Sequence, residues 1–126
     1  MSTINLLEDK KKIYKTRFLG KIGQRLVLVP VNEVAYFQAN NKLVYLTDIT
    51  GSKYIVDHTL EQLETILDPQ VFFRINRKFI ITHHSIHHIR PYVNSRLKVC
   101  LKDVSEKEEM IVSRERVNAF MEWVEG

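Results

Sequence analysis

The sequence has few of the residues on which several functional classes depend. Only one of its 126 residues is a cysteine, Cys100, which excludes an internal disulfide and a zinc site that needs two or more thiolates. Four glycines are too few for a Walker or dinucleotide-binding loop, because Gly20 and Gly23 lack the further glycines of those motifs. The longest apolar run, Leu26 to Val31, is far shorter than the roughly 20 residues that span a bilayer. No basic-then-apolar signal segment opens the chain, so we expect a cytoplasmic protein without membrane insertion.

Length and composition favour a single globular domain. A chain of 126 residues with 44% apolar and 27% charged residues can bury a core and lacks the low-complexity character of a disordered protein. The first residues show no strand alternation and contain the charged run from Glu8 to Lys12. We therefore expect residues 1–14 to form a linker or N-terminal arm and residues 15–126 to form the domain.

Acidic residues are missing from one long segment. Neither Asp nor Glu occurs in the thirty-four residues from Pro69 to Lys102, although the chain contains fifteen of them. The same segment holds seven Lys or Arg residues and four histidines, whereas the part after it has three basic and seven acidic residues. This distribution indicates a surface that faces a polyanion. The alternative is a chance absence of acids from an apolar, strand-rich stretch.

From Arg17 onward the pattern is typical of a β protein. Short apolar segments rich in β-branched and aromatic residues are separated by turn-forming residues. The predicted strands are Arg17 to Ile22, Arg25 to Val31, Val34 to Gln38, Leu43 to Ile49, Lys53 to Asp57, Lys78 to Thr82, Ile86 to Tyr92, Arg96 to Leu101 and Met110 to Val112. Pro30 indicates that the second strand lies at a sheet edge. Strands do not alternate regularly with helices, which favours a mainly β, antiparallel architecture.

Two short helices are predicted, over about residues 59–67 and 114–124. The first starts with Thr59 and Gln62, which form a capping-box pattern, and ends before an Asp-Pro dipeptide. The second follows Ser113, which can cap it, and has apolar residues at i, i+3, i+4 and i+7.

The candidates for catalysis or metal binding are few. Cys100 lies between two lysines on the polar face of a predicted strand, where a small half-exposed residue is the simpler interpretation. The histidines of the segment from His83 to His88 lie in β-rich sequence, where positions i and i+4 are about 13 Å apart, and no carboxylate is near in sequence. We therefore expect no enzyme activity, no catalytic residue, no metal site and no cofactor.

Arginine and asparagine occur at predicted turns, where they can reach nucleic-acid bases. Arginine can bind guanine and asparagine can bind adenine through paired hydrogen bonds. Asn76, Arg77 and Lys78 lie at such a junction, with a simple polar turn as the alternative. Arg114 and Arg116 lie in the first turn of the last predicted helix, where an anion site and a solvated charge are equally reasonable interpretations.

Several ordered motifs resemble the LytTR-type DNA-binding domain of bacterial response regulators. They are Val34 to Ala39, Thr59 to Leu63, Phe72 to Ile80, Ile111 to Val117 and Phe120 to Val124. The resemblance extends over about residues 17–123. It implies an elongated, multi-sheet antiparallel β domain that regulates transcription in a two-component system, binds double-stranded DNA through its loops in the major groove and bends the duplex.

The resemblance and the basic segment together define a predicted DNA-binding set. Its members are Asn41, Lys42, His58, Thr59, Arg74, Asn76, Arg77, Lys78, Ser113, Arg114 and Arg116. Within it, the start of the Thr59 helix is expected to contact phosphate, and the turn at Asn41 departs most from the family pattern. Such modules usually follow a receiver domain, so residues 1–14 would be the remnant of a linker unless the chain is a stand-alone regulator. Paired promoter sites and a dimer on DNA are further expectations.

An RNA-binding or protein-interaction β module that uses the same basic surface is the alternative. Single-stranded RNA binders stack bases on exposed aromatic side chains. Tyr45, Tyr54 and Tyr92 are candidates, although their strand positions fit packing within the domain equally well.

Overall fold

The computed structural model describes residues 13–102 and 108–126 of the chain. Most of the predicted N-terminal arm, residues 1–12, lies outside the described residues. Within the described part there are ten strands and two α-helices. They are β1 (Arg17–Ile22), β2 (Arg25–Pro30), β3 (Val34–Asn40), β4 (Leu43–Asp48), β5 (Lys53–Val56), α1 (Leu60–Ile66), β6 (Phe72–Arg74), β7 (Phe79–Thr82), β8 (Ile86–Tyr92), β9 (Arg96–Leu101), β10 (Met110–Val112) and α2 (Val117–Glu125).

The strands form two antiparallel sheets. Seven of them make one sheet in the order β2-β1-β5-β4-β3-β7-β6, and the other three make a smaller sheet in the order β10-β9-β8. Strand β2 is an outer strand of the large sheet, which confirms the edge position predicted from Pro30. The mainly β, antiparallel fold class with two short helices is therefore confirmed.

Two hydrophobic cores lie on opposite faces of the large sheet. On one face, Leu60 and Leu63 of α1 pack with Phe37 and Leu46 of the sheet. On the other face, Ile81 and its neighbours pack against the small sheet and α2; the buried members of this second core are Ala35, Tyr36, Ile75, Phe79, Ile81, Val99, Met110, Val112 and Phe120. The large sheet is thus the middle layer of the domain.

One close approach inside the large sheet requires glycine. Strands β1 and β5 are neighbours, and a Cβ atom at Gly20 would lie 2.6 Å from the Cβ of Tyr54. Real Cβ atoms essentially never approach so closely, so a larger residue at Gly20 would push the two strands apart.

Two predictions are corrected, apart from shifts of one or two residues at the ends of several strands. Phe72–Arg74 forms the short strand β6, which we did not predict because three residues are too few for a period-two pattern. The last α-helix begins at Val117 rather than near residue 114, because Arg114–Arg116 forms a separate 3₁₀ turn before it. The first helix occurs as predicted, and its capping box is present.

Asp48 closes the connection between β4 and β5. Its Oδ1 atom accepts hydrogen bonds from the backbone N–H and the hydroxyl of Thr50 and from the backbone N–H of Ser52. Its Oδ2 atom accepts one from the hydroxyl of Tyr54, at 3.0 Å. Burial raises the pKa of the Asp48 carboxyl, but these hydrogen bonds together lower it below its ordinary value.

We predict that Asp48→Asn weakens the dependence of stability on acid pH. Because the folded-state pKa of Asp48 is depressed, its carboxylate stabilises the fold above the unfolded-state pKa, and this contribution is lost as pH falls through the folded-state pKa. Urea unfolding at several pH values between about 7 and 2 measures the effect. The variant should be less stable at neutral pH and lose less free energy of unfolding on acidification. Asp57→Asn, at an exposed aspartate, is the control, and equal acid losses in wild type and Asp48→Asn would contradict the prediction.

Candidate nucleic-acid interface

The turn between β3 and β4 exposes the first two predicted contact residues. Asn40 pairs with Leu43, so Asn41 and Lys42 form a two-residue turn. Both have positive φ angles, 53° and 66°, as a type I′ hairpin turn requires. Asparagine tolerates this conformation well, whereas lysine adopts it only at some energetic cost. Both side chains are exposed at one end of the large sheet.

The side-chain amide of Asn76 holds the turn between β6 and β7. Its Oδ1 atom accepts hydrogen bonds from the backbone N–H of Lys78, at 2.7 Å, and from that of Phe79, at 3.0 Å. Its Nδ2 atom donates to the carbonyl oxygen of Ile111 in β10, at 2.7 Å. Both ends of the amide are therefore engaged, and the same side chain joins the turn to the small sheet.

The guanidinium of Arg74 is directed into the protein. It donates to Glu61 and Glu64 of α1, at 3.1 and 2.7 Å, and its side chain is only 10% exposed. It also donates to the backbone carbonyls of Asn76, at 3.0 Å, and Arg77, at 2.9 Å. Burial lowers the pKa of Arg74, but the hydrogen bonds to the two glutamates raise it above its ordinary value. Arg74 thus ties the turn after β6 to α1.

Arg77 and Lys78 follow Asn76 and are exposed. The guanidinium of Arg77 makes no hydrogen bond or ion pair with any other residue that the structure describes. The Nζ atom of Lys78 pairs with a carboxylate oxygen of Glu108, at 2.9 Å. The backbone carbonyl of Lys78 accepts a hydrogen bond from the N–H of Ala39, which brings this turn beside the β3–β4 hairpin.

The segment before α2 differs from the prediction in its capping. The hydroxyl of Ser113 makes no cap hydrogen bond; it is buried and lacks a partner among the described residues. Instead, the backbone N–H of Ser113 donates to the carbonyl of Ile75, at 3.0 Å. Arg116 is half-buried and donates to the carbonyl of Arg74, at 3.2 Å. The side chain of Arg114 is exposed and makes no hydrogen bond or ion pair within the described ranges.

The start of α1 is occupied by its own residues. The hydroxyl of Thr59 accepts from the N–H of Gln62, and the N–H of Thr59 donates to the side chain of Gln62. The pKa of the Glu61 carboxyl is lowered, first by its own backbone N–H and then by Arg74. The imidazole of His58 packs edge-on against the ring of Phe18, with 5.5 Å between their centroids. A bound phosphate would therefore meet a capped helix end and a carboxylate.

Two adjoining grooves bring most of these residues together. One groove is lined by Lys42, Thr59, Arg74 and Arg77, and the other by Asn76, Ser113 and Arg114. The hydrogen bond from the guanidinium of Arg74, in the first groove, to the backbone carbonyl of Asn76, in the second, connects them. We call the rim formed by exposed Asn41, Lys42, Arg77, Lys78, Asn94 and Arg114 and by half-buried Arg96 the basic edge.

Two members of the basic edge were missed by the sequence reasoning. Asn94 and Arg96 line the same groove as Arg114, at the β8–β9 turn. Asn94 and Ser95 have φ angles of 60° and 59°, and the Arg96 guanidinium lies 5.0 Å from the ring centroid of Tyr92. The signal available was an Asn-Ser pair between two strands, followed by arginine. Local pattern could not show that this turn reaches Arg114.

The histidines and Cys100 lie apart from the basic edge. His83 and His84 form part of a 3₁₀ turn, and Nε2 of His84 lies 3.1 Å from the carbonyl oxygen of Val34. Burial lowers the pKa of the His84 imidazole. Cys100 pairs in register with His88, and within residues 13–102 and 108–126 no three His, Cys, Asp or Glu side chains are placed to hold a metal ion. None of the described helices is long and apolar enough to cross a membrane.

We predict that Asn76→Ala destabilises the domain by about 1–3 kcal/mol, because it removes three hydrogen bonds and leaves the partly buried backbone groups of Phe79 and Ile111 without this partner. Arg77→Ala, one residue away at an exposed position, should change the free energy of unfolding by less than about 0.5 kcal/mol. Urea unfolding of both variants measures the difference. A loss for Asn76→Ala no greater than that for Arg77→Ala would show that the amide does not support the turn.

The chain is similar in sequence to proteins named as transcriptional or response regulatory proteins. It is 28% identical over 118 residues to the transcriptional regulatory protein YpdB of Escherichia coli K12, which covers 94% of this chain and 41% of that protein. It is also 28% identical over 79 residues to an uncharacterized response regulatory protein of Vibrio cholerae, which covers 60% of this chain and 30% of that protein. The chain therefore spans less than half the length of these relatives.

The fold is similar to that of a solved domain. The LytTr DNA-binding domain of a putative methyl-accepting/DNA response regulator from Bacillus cereus superposes with a TM-score of 0.78 at 23% identity, covering 87% of this chain and 97% of that one. The sequence of residues 24–125 matches the LytTr DNA-binding domain family. The chain thus belongs to the LytTr family of DNA-binding domains.

Proposed function

We propose that this domain binds double-stranded DNA in a sequence-specific manner and that Arg77 and Arg114 read base edges in the major groove. The exposure of these two arginines on neighbouring turns, with no hydrogen-bond or ion-pair partner in the described part of the chain, carries the proposal. A free guanidinium can donate two parallel hydrogen bonds to O6 and N7 of guanine. The rest of the basic edge then positions the domain on the DNA.

The other predicted contact residues divide into two groups in this proposal. Asn41, Lys42 and Lys78 are exposed and contact phosphates or base edges nearby. The remaining residues position the loops from within, because their polar groups are already engaged or buried; they are His58, Thr59, Arg74, Asn76, Ser113 and Arg116. This revises our expectation that Asn76 reads adenine and that the start of α1 binds phosphate.

The biological setting is also proposed. The relatives named as transcriptional and response regulatory proteins are more than twice as long as the segment they share with this chain. We infer that the domain is the output part of a two-component system, acts on promoter DNA in the cytoplasm and works with an N-terminal receiver domain. Turns that enter successive grooves would bend the duplex and make binding depend on base steps that the protein does not touch.

An RNA-binding function is supported less well. Tyr54 donates its hydroxyl to Asp48, and Tyr92 donates to Glu109 and lies beneath the guanidinium of Arg96. These contacts occupy two of the three tyrosines that a single-stranded nucleic acid would need for stacking. Tyr45 is half-buried within the large sheet.

We predict different losses for the arginines and for Lys78. After selection of binding sites from random duplexes, Arg77→Ala and Arg114→Ala should each cost about 1–3 kcal/mol on the selected site and relax preference at one base pair. Lys78→Ala should weaken binding to selected and scrambled duplexes alike and reduce the salt slope by about one unit. Titrations of each variant across salt concentrations measure both quantities.

Lys102→Ala is the matched control, because this exposed cation lies six residues along the chain from Arg96, at the far end of the β9 strand from the basic edge. It should bind like wild type. Equal losses for Arg77→Ala on every sequence would remove Arg77 from the base-reading residues. Selected sites with two half-sites about one helical turn apart would support paired binding on one face of the DNA.

A further inference from the structure

Part of the large sheet presents an apolar face to solvent. The small sheet and α2 cover the region around β3 and β7, and no residue of β1 or β2 belongs to the core that they form. On β1 and β2, Leu19, Leu26 and Leu28 are 55%, 66% and 62% exposed. Leu19 lies directly opposite Leu28 in the strand register, so the three side chains form one leucine patch.

The leucine patch borders an open strand edge. Strand β2 is the outermost strand of its sheet, and within the described residues its outer backbone groups pair with no other strand. An edge strand with exposed leucines is a template for pairing with another strand. Pro30 ends this edge, because proline has no N–H group to donate to a strand ladder.

We propose that β2 pairs with β2 of a second copy of this chain, antiparallel across a two-fold axis at Val27. Directly opposite residues in an antiparallel pair point to the same face of the sheet. With Val27 opposite its own counterpart, Leu26 lies opposite the partner's Leu28, and the two leucine patches form one continuous apolar surface. A shift by one residue would place Leu26 opposite Val27 or Val29, which pack into the core beside α1.

Charge favours a second copy in this register. Arg25 lies at one end of β2, and Glu33 lies in the 3₁₀ turn Val31–Glu33 that follows the other end. Both residues are exposed. Because two-fold pairing brings opposite ends of β2 together, each Arg25 end meets the partner's Glu33 end. The same register places Pro30 opposite the partner's Gln24. Pro30, which has no N–H group to donate, thus lies just outside the five paired residues from Arg25 to Val29.

A register-specific cross-link tests the proposal on the isolated chain without DNA, so its result is independent of the proposed DNA binding. Leu26→Cys and Leu28→Cys are made separately in a Cys100→Ser background and oxidised alone or mixed. Directly opposite residues lie within disulfide reach, whereas the diagonal positions, about 7–8 Å apart, do not. Disulfide-linked dimer should therefore form several-fold more in the mixture than in either variant alone.

Oligomeric state provides the second measurement. Light scattering over a concentration series should show wild-type mass rising towards two copies, and Leu28→Lys should raise the dissociation constant by about tenfold or more. Leu43→Lys, at another exposed leucine outside the patch, is the control and should associate like wild type. A monomer at all concentrations together with equal cross-linking in mixed and unmixed samples would overturn the proposal.

Discussion

The hydrogen bond from the Asn76 amide to the Ile111 carbonyl is the contact on which the basic edge depends. It joins a turn of the large sheet to a strand of the small sheet, which are far apart in sequence. A second hydrogen bond, from the backbone N–H of Ser113 to the carbonyl of Ile75, joins the same two segments beside it. Apolar side chains fill the core between the two sheets, and these directional bonds, with that from Arg116 to the carbonyl of Arg74, fix the relative positions of the turns that carry Arg77 and Arg114.

Arginines three residues apart have opposite roles because their surroundings differ. The side chain of Arg74 is almost buried, and its guanidinium donates hydrogen bonds to two glutamates and two carbonyl groups, whereas Arg77 is exposed. Removing a buried cation leaves its carboxylate partners unpaired, so a variant at Arg74 would disturb the turn before any effect on DNA binding could be measured. A loss of DNA binding on mutation of Arg74 would therefore not by itself identify a base contact.

Sequence patterns predicted the features that arise within short segments. The strand alternation, the capping box at Thr59 and the edge position of Pro30 depend on neighbouring residues, and all three occur in the structure. The order of the seven strands and the role of Asn76 depend on contacts between distant segments, which no local pattern encodes. Ser113 illustrates what local pattern misses. A serine before a helix usually caps it, but here a 3₁₀ turn separates Ser113 from α2, and the backbone N–H of Ser113 donates to the carbonyl of Ile75.

The distribution of ion pairs determines which cations gain most from DNA. Lys78 and Lys98 are paired with Glu108 and Glu109 in the free protein, so a phosphate at either lysine would replace an existing carboxylate. Such exposed pairs are worth only about 0–1 kcal/mol, and the exchange would add little beyond counterion release. In the proposed complex, Arg77 and Arg114 would lose no ion pair with the described residues on entering a groove. Discrimination between sequences should therefore depend on these arginines, with the paired lysines adding a sequence-independent contribution.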